Sequence, residues 1–266
     1  MIFITLQSNK LMKKAFLLIF STIFFAAVHG NPIKDTTVNP LQINGSIGLT
    51  NNGISIIPTF SLNAPAAIFN FYIRKNRFSF DPDIRATLDG RKGGMIFWFR
   101  YRFIQDKKFN LTAGIHPAYN LALRTVTEAG KTWDITQARR FIAYEIAPSF
   151  VVSKHLSVGP YLLRGMGLQK DGPVSTYFVA LNTNISNIPI GNHIKFSWTP
   201  QFYYLNLDKQ EGVYMANIFR LAHDKSPFSL QSVMNKEIKT NIKGSQNFAW
   251  NIILNYSFGH QYIRKQ

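Results

Sequence analysis

The sequence contains no cysteine. That excludes a disulfide framework, a thiol nucleophile and a thiolate metal site. It also excludes the lipid-modified N-terminal cysteine of a lipoprotein. Charged residues are scarce, 16% against about 25% in an ordinary soluble domain. Acids are scarcer still: 13 Asp and Glu stand against 30 Lys and Arg, a formal net charge of +17. A basic excess raises the question of nucleic acid. The cations are scattered, however, and many sit in turn-like segments such as Arg74-Lys75-Asn76-Arg77 and Gln105-Asp106-Lys107-Lys108. No Lys/Arg-rich helix pattern and no RNP-like motif accompanies them, so no nucleic-acid partner is expected. Charged turns beside anionic lipid headgroups account for the same residues.

Long apolar runs are missing too, with one exception. Lys13-Lys14 precedes an apolar stretch from Ala15 to Val28 that ends in small residues, the pattern of a secretory signal peptide. It is shorter than the about 20 residues a spanning helix needs. A signal peptide over 1–30 is expected, cleaved after Gly30 or, alternatively, after Ala27, with Met12 an alternative start. Retained, the run would be a single N-terminal anchor. Cleavage removes Lys10, Lys13 and Lys14 and no acid, so the mature charge falls to +14. No later stretch reaches about 18 apolar residues. If the mature chain crosses a membrane, it does so as a closed barrel, because only helices and closed barrels satisfy every backbone polar group in lipid.

What the chain does have is aromatic residues, 14% with 23 Phe and 11 Tyr, and a period-two rhythm. Over 247–258, Phe248, Trp250, Ile252, Leu254, Tyr256 and Phe258 alternate with Asn247, Ala249, Asn251, Ile253, Asn255 and Ser257. One face suits lipid and the other is mostly polar, as a transmembrane strand requires. Residues 77–88, 108–120 and 192–206 repeat the pattern, and 95–103 carries aromatics along one face. A soluble sandwich would bury such a face against a second sheet, and a lipocalin-like barrel is the other soluble alternative.

About thirteen such runs are separated by turn chemistry such as Asp89-Gly90, Ser153-Lys154-His155 and Asp224-Lys225-Ser226. Bacterial single-chain barrels use an even strand number, with long loops outside and short turns in the periplasm. If the last strand runs down into the periplasm, the long polar connections 124–137 and 235–246 both face outward. Counting back makes 54–62 the first upward strand. The expected fold is therefore an all-β, antiparallel transmembrane barrel of about twelve strands. It covers 54–262, with 31–53 as a lead-in segment in which 42–50 is a periplasmic lead-in, a lumen plug or an extra strand.

Several segments resemble a family of outer-membrane β-barrel proteins common in Bacteroidota: Gly48-Leu49-Thr50-Asn51-Asn52-Gly53-Ile54-Ser55, Pro65-Ala66-Ala67-Ile68-Phe69, Arg77-Phe78-Ser79-Phe80-Asp81-Pro82 and Phe97-Trp98-Phe99-Arg100-Tyr101. The closing Leu254-Asn255-Tyr256-Ser257-Phe258 is similar to the aromatic signal read by the barrel-assembly machinery, although eight residues follow it. Continued alternation would make Tyr262 the terminal aromatic instead. The resemblance implies outer-membrane lipid and that machinery as partners. Its motifs mark architecture and imply no chemistry.

No enzymatic, cofactor or metal site is expected. His-Glu-x-x-His spacing is absent. Gly90-Arg91-Lys92-Gly93-Gly94 lacks the spacing and following helix of a phosphate loop. A membrane hydrolase would have to use His116 or His193, which alternation turns inward. The most informative set is the inward charge. Asp81, Asp83 and Arg85 share one face, Arg100 and Arg102 a second, and Glu145 a third, with Arg164, Lys195 and Arg220 as further candidates. These residues fit a charged constriction that selects solutes, with surplus arginine favouring anions. They fit equally a network of paired charges that fills a narrow barrel. The leading functional expectation is a narrow passive pore. The alternative is a non-conducting structural or surface-interaction barrel acting through its outer loops.

Overall fold

The computed structural model describes residues 40–169 and 172–262. The expected signal peptide, its cleavage site and positions 31–39 lie outside them. Among the described residues the strands are β1 (Leu41–Thr50), β2 (Ala66–Lys75), β3 (Phe78–Thr87), β4 (Gly93–Gln105), β5 (Phe109–Glu128), β6 (Lys131–Val151), β7 (Leu156–Gly167), β8 (Ser175–Pro189), β9 (Ile194–Leu207), β10 (Gln210–His223), β11 (Phe228–Thr240) and β12 (Phe248–Tyr262). Each pairs antiparallel with its sequence neighbour, and β1 pairs with β12 from Leu41↔Tyr262 to Thr50↔Ile253. The sheet is a closed twelve-stranded barrel.

Polarity runs opposite to that of a soluble domain. Ser79, Asp81, His116, Asn120, Glu145, Asn235, Asn251 and Asn255 are buried inside. Phe99, Tyr101, Phe103, Ile115, Ile146, Phe150, Leu181, Phe202, Leu230, Ile252 and Leu254 are exposed outside. A soluble sandwich or lipocalin-like barrel would leave that outer surface in water, and monomeric soluble proteins do not carry apolar area on this scale. Lipid is the environment that matches it. The shortest strands have 10 residues, enough for a tilted strand to cross the hydrocarbon core.

The connections on the side of the termini are short: 76–77, 106–108, 152–155, 190–193 and 224–227. On the other side lie the longest ones, 51–65, 168–174 and 241–247. That asymmetry places the terminus side in the periplasm.

Two loop expectations and one strand expectation are corrected. Residues 124–137 are not a loop. β5 and β6 pair as far as Glu128↔Lys131, and Ala129 and Gly130, both at positive φ, close the hairpin with a two-residue turn. Thr125, Val126, Thr127, Thr132, Trp133 and Ile135 favour extended backbone, and their charged neighbours are solvated above the bilayer. Of 235–246, only 241–246 lies outside a strand, and it folds back so that Ile242 joins the interior.

The third correction concerns the first strand. Of the three alternatives for 42–50, the strand is the one observed, as part of β1, and 54–62, expected as the first strand, contains instead a 3₁₀ turn at Pro58–Phe60. Among the described residues the barrel therefore begins at Leu41, so 41–50 is part of its wall. Alternation marks an apolar face but does not say what covers it. Pro58 removes a ladder donor, whereas Leu41, Ile43, Ile47 and Leu49 offer lipid a complete outward face.

Between β6 and β7 the paired register is interrupted from Ala147 to Ser149, where Pro148 lacks the N–H a ladder needs. A Cβ on Gly159 would lie 2.0 Å from the Pro148 carbonyl oxygen. That atom is backbone, so the strands must separate to admit it. Gly159→Ala is expected to destabilise the barrel by about 1–3 kcal/mol, measured as a lower urea midpoint for unfolding from lipid vesicles.

Candidate functional site

The lumen is organised around Arg100. Alternation on β3 aims Ser79, Asp81, Asp83 and Arg85 inward, on β4 Trp98, Arg100 and Arg102, and on β6 Glu145. Arg100 Nε donates to Glu145 Oε1 at 2.5 Å, and Nη1 donates to Asp81 Oδ2 at 2.7 Å. The Tyr161 hydroxyl donates to Glu145 Oε2 at 2.6 Å, and Ser79 Oγ donates to Asp81 Oδ2 at 3.2 Å. The Glu145 side chain is 1% exposed, and a carboxylate so buried persists as an anion only when paired and hydrogen-bonded. The Arg100 guanidinium lies 4.1 Å from the Trp98 ring centre, and His116 meets that ring edge-on. Gly114 makes room: a Cβ there would approach Glu145 Oε1 and the Arg100 side chain at 2.9 and 3.0 Å.

Arg85 forms its own pair with Asp83. Arg102 stands apart from both, donating to Tyr72 Oη at 3.4 Å and to Gln105 Oε1 at 3.3 Å. So the structure joins Arg100, Asp81 and Glu145, sets Asp83 with Arg85 beside them, and leaves Arg102 nearer the strand ends. Arg220 also faces the lumen, its Nε 3.3 Å from Ser229 Oγ.

Two of the further candidates are corrected. Arg164 points outward, over the ring of outward-facing Tyr177 at 4.1 Å, because Leu163 and Gly165 occupy the inward positions. Lys195 sits at the terminus-side rim, 2.7 Å from Asp224, and its hydrogen bond holds that turn carboxyl below the usual carboxylate range. His193 is likewise in a turn, its ring 5.6 Å from that of His223. His116 is inside, but its Nδ1 is buried without a hydrogen-bond partner. Among the described residues neither histidine is hydrogen-bonded to a serine, and no cluster of three His, Asp or Glu is placed to hold a metal ion.

Above the charged layer residues 54–62 fold into the lumen. Ile54 and Leu62 are buried, and Ile56 and Ile57 pack against a core that includes Ala143, Leu163, Phe178 and Tyr203. Phe60 meets Phe141 edge-on at 5.1 Å. The Tyr203 hydroxyl donates to the Ile56 carbonyl at 2.7 Å, and Lys92 Nζ donates to the Leu62 carbonyl. Tyr161, Phe178, Tyr203 and Tyr214 form a continuous row across β7 to β10, with ring centres 5.8, 5.0 and 5.0 Å apart. Below this ceiling a cavity of about 930 Å³ runs toward the terminus side, lined by Asp81, Asp83, Arg85 and Arg100 on one wall and by Gln231, Asn251 and Asn255 on another.

Sequence reasoning missed this ceiling and the aromatic row. The available signal was Tyr203, which alternation puts on the inward face despite its ring. Reading inward as polar hid an apolar upper lumen.

No family model and no curated protein matches the sequence. Solved structures match its fold. An outer membrane channel from Pseudomonas putida F1 is 8% identical with a TM-score of 0.50, covering 88% of this chain and 100% of that chain. The KdgM porin is 10% identical with a TM-score of 0.48, covering 82% and 99%. The NanC porin is 11% identical with a TM-score of 0.46, covering 85% and 100%. The protein is an integral outer-membrane β-barrel.

Proposed function

We propose that the barrel is a passive channel for small solutes, held closed by residues 54–62. The observation that carries this reading is the polar cavity of about 930 Å³ beneath a single folded connection. Displacing that one segment would join the cavity to the outer side without breaking the wall. Asp81, Asp83, Arg85 and Arg100 are the lining residues, Arg102 stands at the mouth, and Glu145 backs Arg100. Inward Arg74, Arg85, Arg100, Arg102 and Arg220 outnumber inward Asp81, Asp83 and Glu145, which favours anions. The protein is not assigned an enzymatic role. The porins and channels it resembles support the barrel fold alone.

A second reading, a non-conducting barrel, is favoured by the closed pairing of Arg100 with Asp81 and Glu145. Planar-bilayer recording separates the two. The channel reading expects infrequent openings from the folded protein, with a reversal potential displaced toward the chloride potential in a KCl gradient. Silence both from this protein and from a variant shortened at 54–62 would leave the non-conducting reading. In either case outer-membrane lipid meets the apolar belt, and the alternating aromatics of β12 suit the barrel-assembly machinery. Kinship with the Bacteroidota barrels stays part of this proposal.

A further inference from the structure

We infer that the terminus-side mouth carries a binding site for a small oxyanion, a phosphate or carboxylate, built from Arg74, Arg102 and Tyr72. The observation is a pair of like charges gathered on one phenol. The Arg74 guanidinium lies 4.3 Å from the Tyr72 ring centre, and Arg102 Nη2 lies 3.4 Å from the hydroxyl of the same residue. Both cations therefore contact the same tyrosine, one at its ring and one at its hydroxyl. Tyr72 lines the cavity, and Arg74 and Arg102 continue the same inward faces toward the mouth.

Their hydrogen bonds are left open. Arg74 Nε is buried with no partner. Arg102 is bonded only to the neutral Tyr72 and Gln105 oxygens. The acid facing them is Asp81, whose Oδ2 is taken by Arg100 and Ser79 and whose Oδ1 is buried without a hydrogen-bond partner. Arg220, on the opposite wall, is bonded to Ser229. Two guanidinium forks around one tyrosine, both only partly buried, repel each other, and an anion lying between them would offset that repulsion. A tetrahedral or planar oxyanion offers the geometry that such forks accept in parallel. This deepens the channel reading by naming a solute class. It rests on that reading for transport and stands apart from it for binding.

The test is isothermal titration of the detergent-folded full barrel with inorganic phosphate, alongside bilayer recording of the same preparations. Saturable phosphate binding is expected, weakened at least tenfold in Arg74→Gln and in Arg102→Gln. Tyr72→Phe, which keeps the ring under Arg74 and frees only Arg102, is expected to weaken it less. Arg91→Gln, in an outer turn and paired with Asp134, is expected to bind as before. Heat-modified gel mobility verifies that each variant is folded. No saturable binding, or equal binding by the Arg74 and Arg102 variants and the parent, overturns the site. Binding without channel events leaves the site standing and removes the channel reading. Channel events without binding do the reverse.

Discussion

Replacing Arg100 by methionine is expected to destabilise the folded barrel by about 3–5 kcal/mol. The change removes one side chain of similar length, yet leaves two carboxylates without their counter-charge. Glu145 retains only the Tyr161 hydroxyl, and Asp81 retains Ser79. Both are buried, so the penalty is that of uncompensated charge rather than of a lost contact. Urea unfolding from lipid vesicles reads it as a lower midpoint. Adding Asp81→Asn and Glu145→Gln to the same chain should recover most of the loss, because a neutral trio has nothing to compensate. A triple variant as unstable as the single one would mean that Arg100 acts by packing on Trp98 instead of by charge.

Excising the ceiling is the second large effect. Replacing 54–62 by a short Gly-Ser linker is expected to raise bilayer conductance severalfold over the parent, with frequent openings replacing rare ones. It should also lower stability, since burying a large apolar side chain is worth about 1.5–3 kcal/mol and the variant loses the buried Ile54 and Leu62. Tyr203→Phe is the milder probe: it removes the hydroxyl that bonds the Ile56 carbonyl and Asn235 Oδ1, about 1 kcal/mol per hydrogen bond, and should increase open time more than it changes the urea midpoint. An excised variant that conducts no better than the parent would show that the obstruction lies in the Arg100 layer.

The strand rhythm was legible because the bilayer imposes it. On β3, β4 and β12 the outward residues are mostly apolar and every charged residue within the wall faces inward, and simple alternation places Asp81, Asp83, Arg85, Arg100, Arg102 and, on β6, Glu145 on inward faces. The reading failed where the inside is itself apolar. Tyr203, Leu205 and Tyr214 are inward yet look like lipid-facing residues, and 54–62 looks like a strand because its Ile54, Ile56, Phe60 and Leu62 serve a lumen core as well as they would serve lipid. Arg164 lies outward because Leu163 and Gly165 take the inward positions of β7, and Lys195, on the same face as Gln201 and Tyr203, falls at the end of its strand.

Composition, the missing cysteines and apolar spans, and the period-two pattern were enough to determine a membrane barrel with a charged interior, since each reflects a local rule of backbone satisfaction or solvent contact. Which segment closes the ring, which one fills it, and which acid holds Arg100 were decided only by the closed sheet. Those are contacts between residues far apart in the chain, such as Leu41 with Tyr262, Ile56 with Tyr203 and Arg100 with Glu145. Their partners follow from register and curvature, which no local pattern encodes.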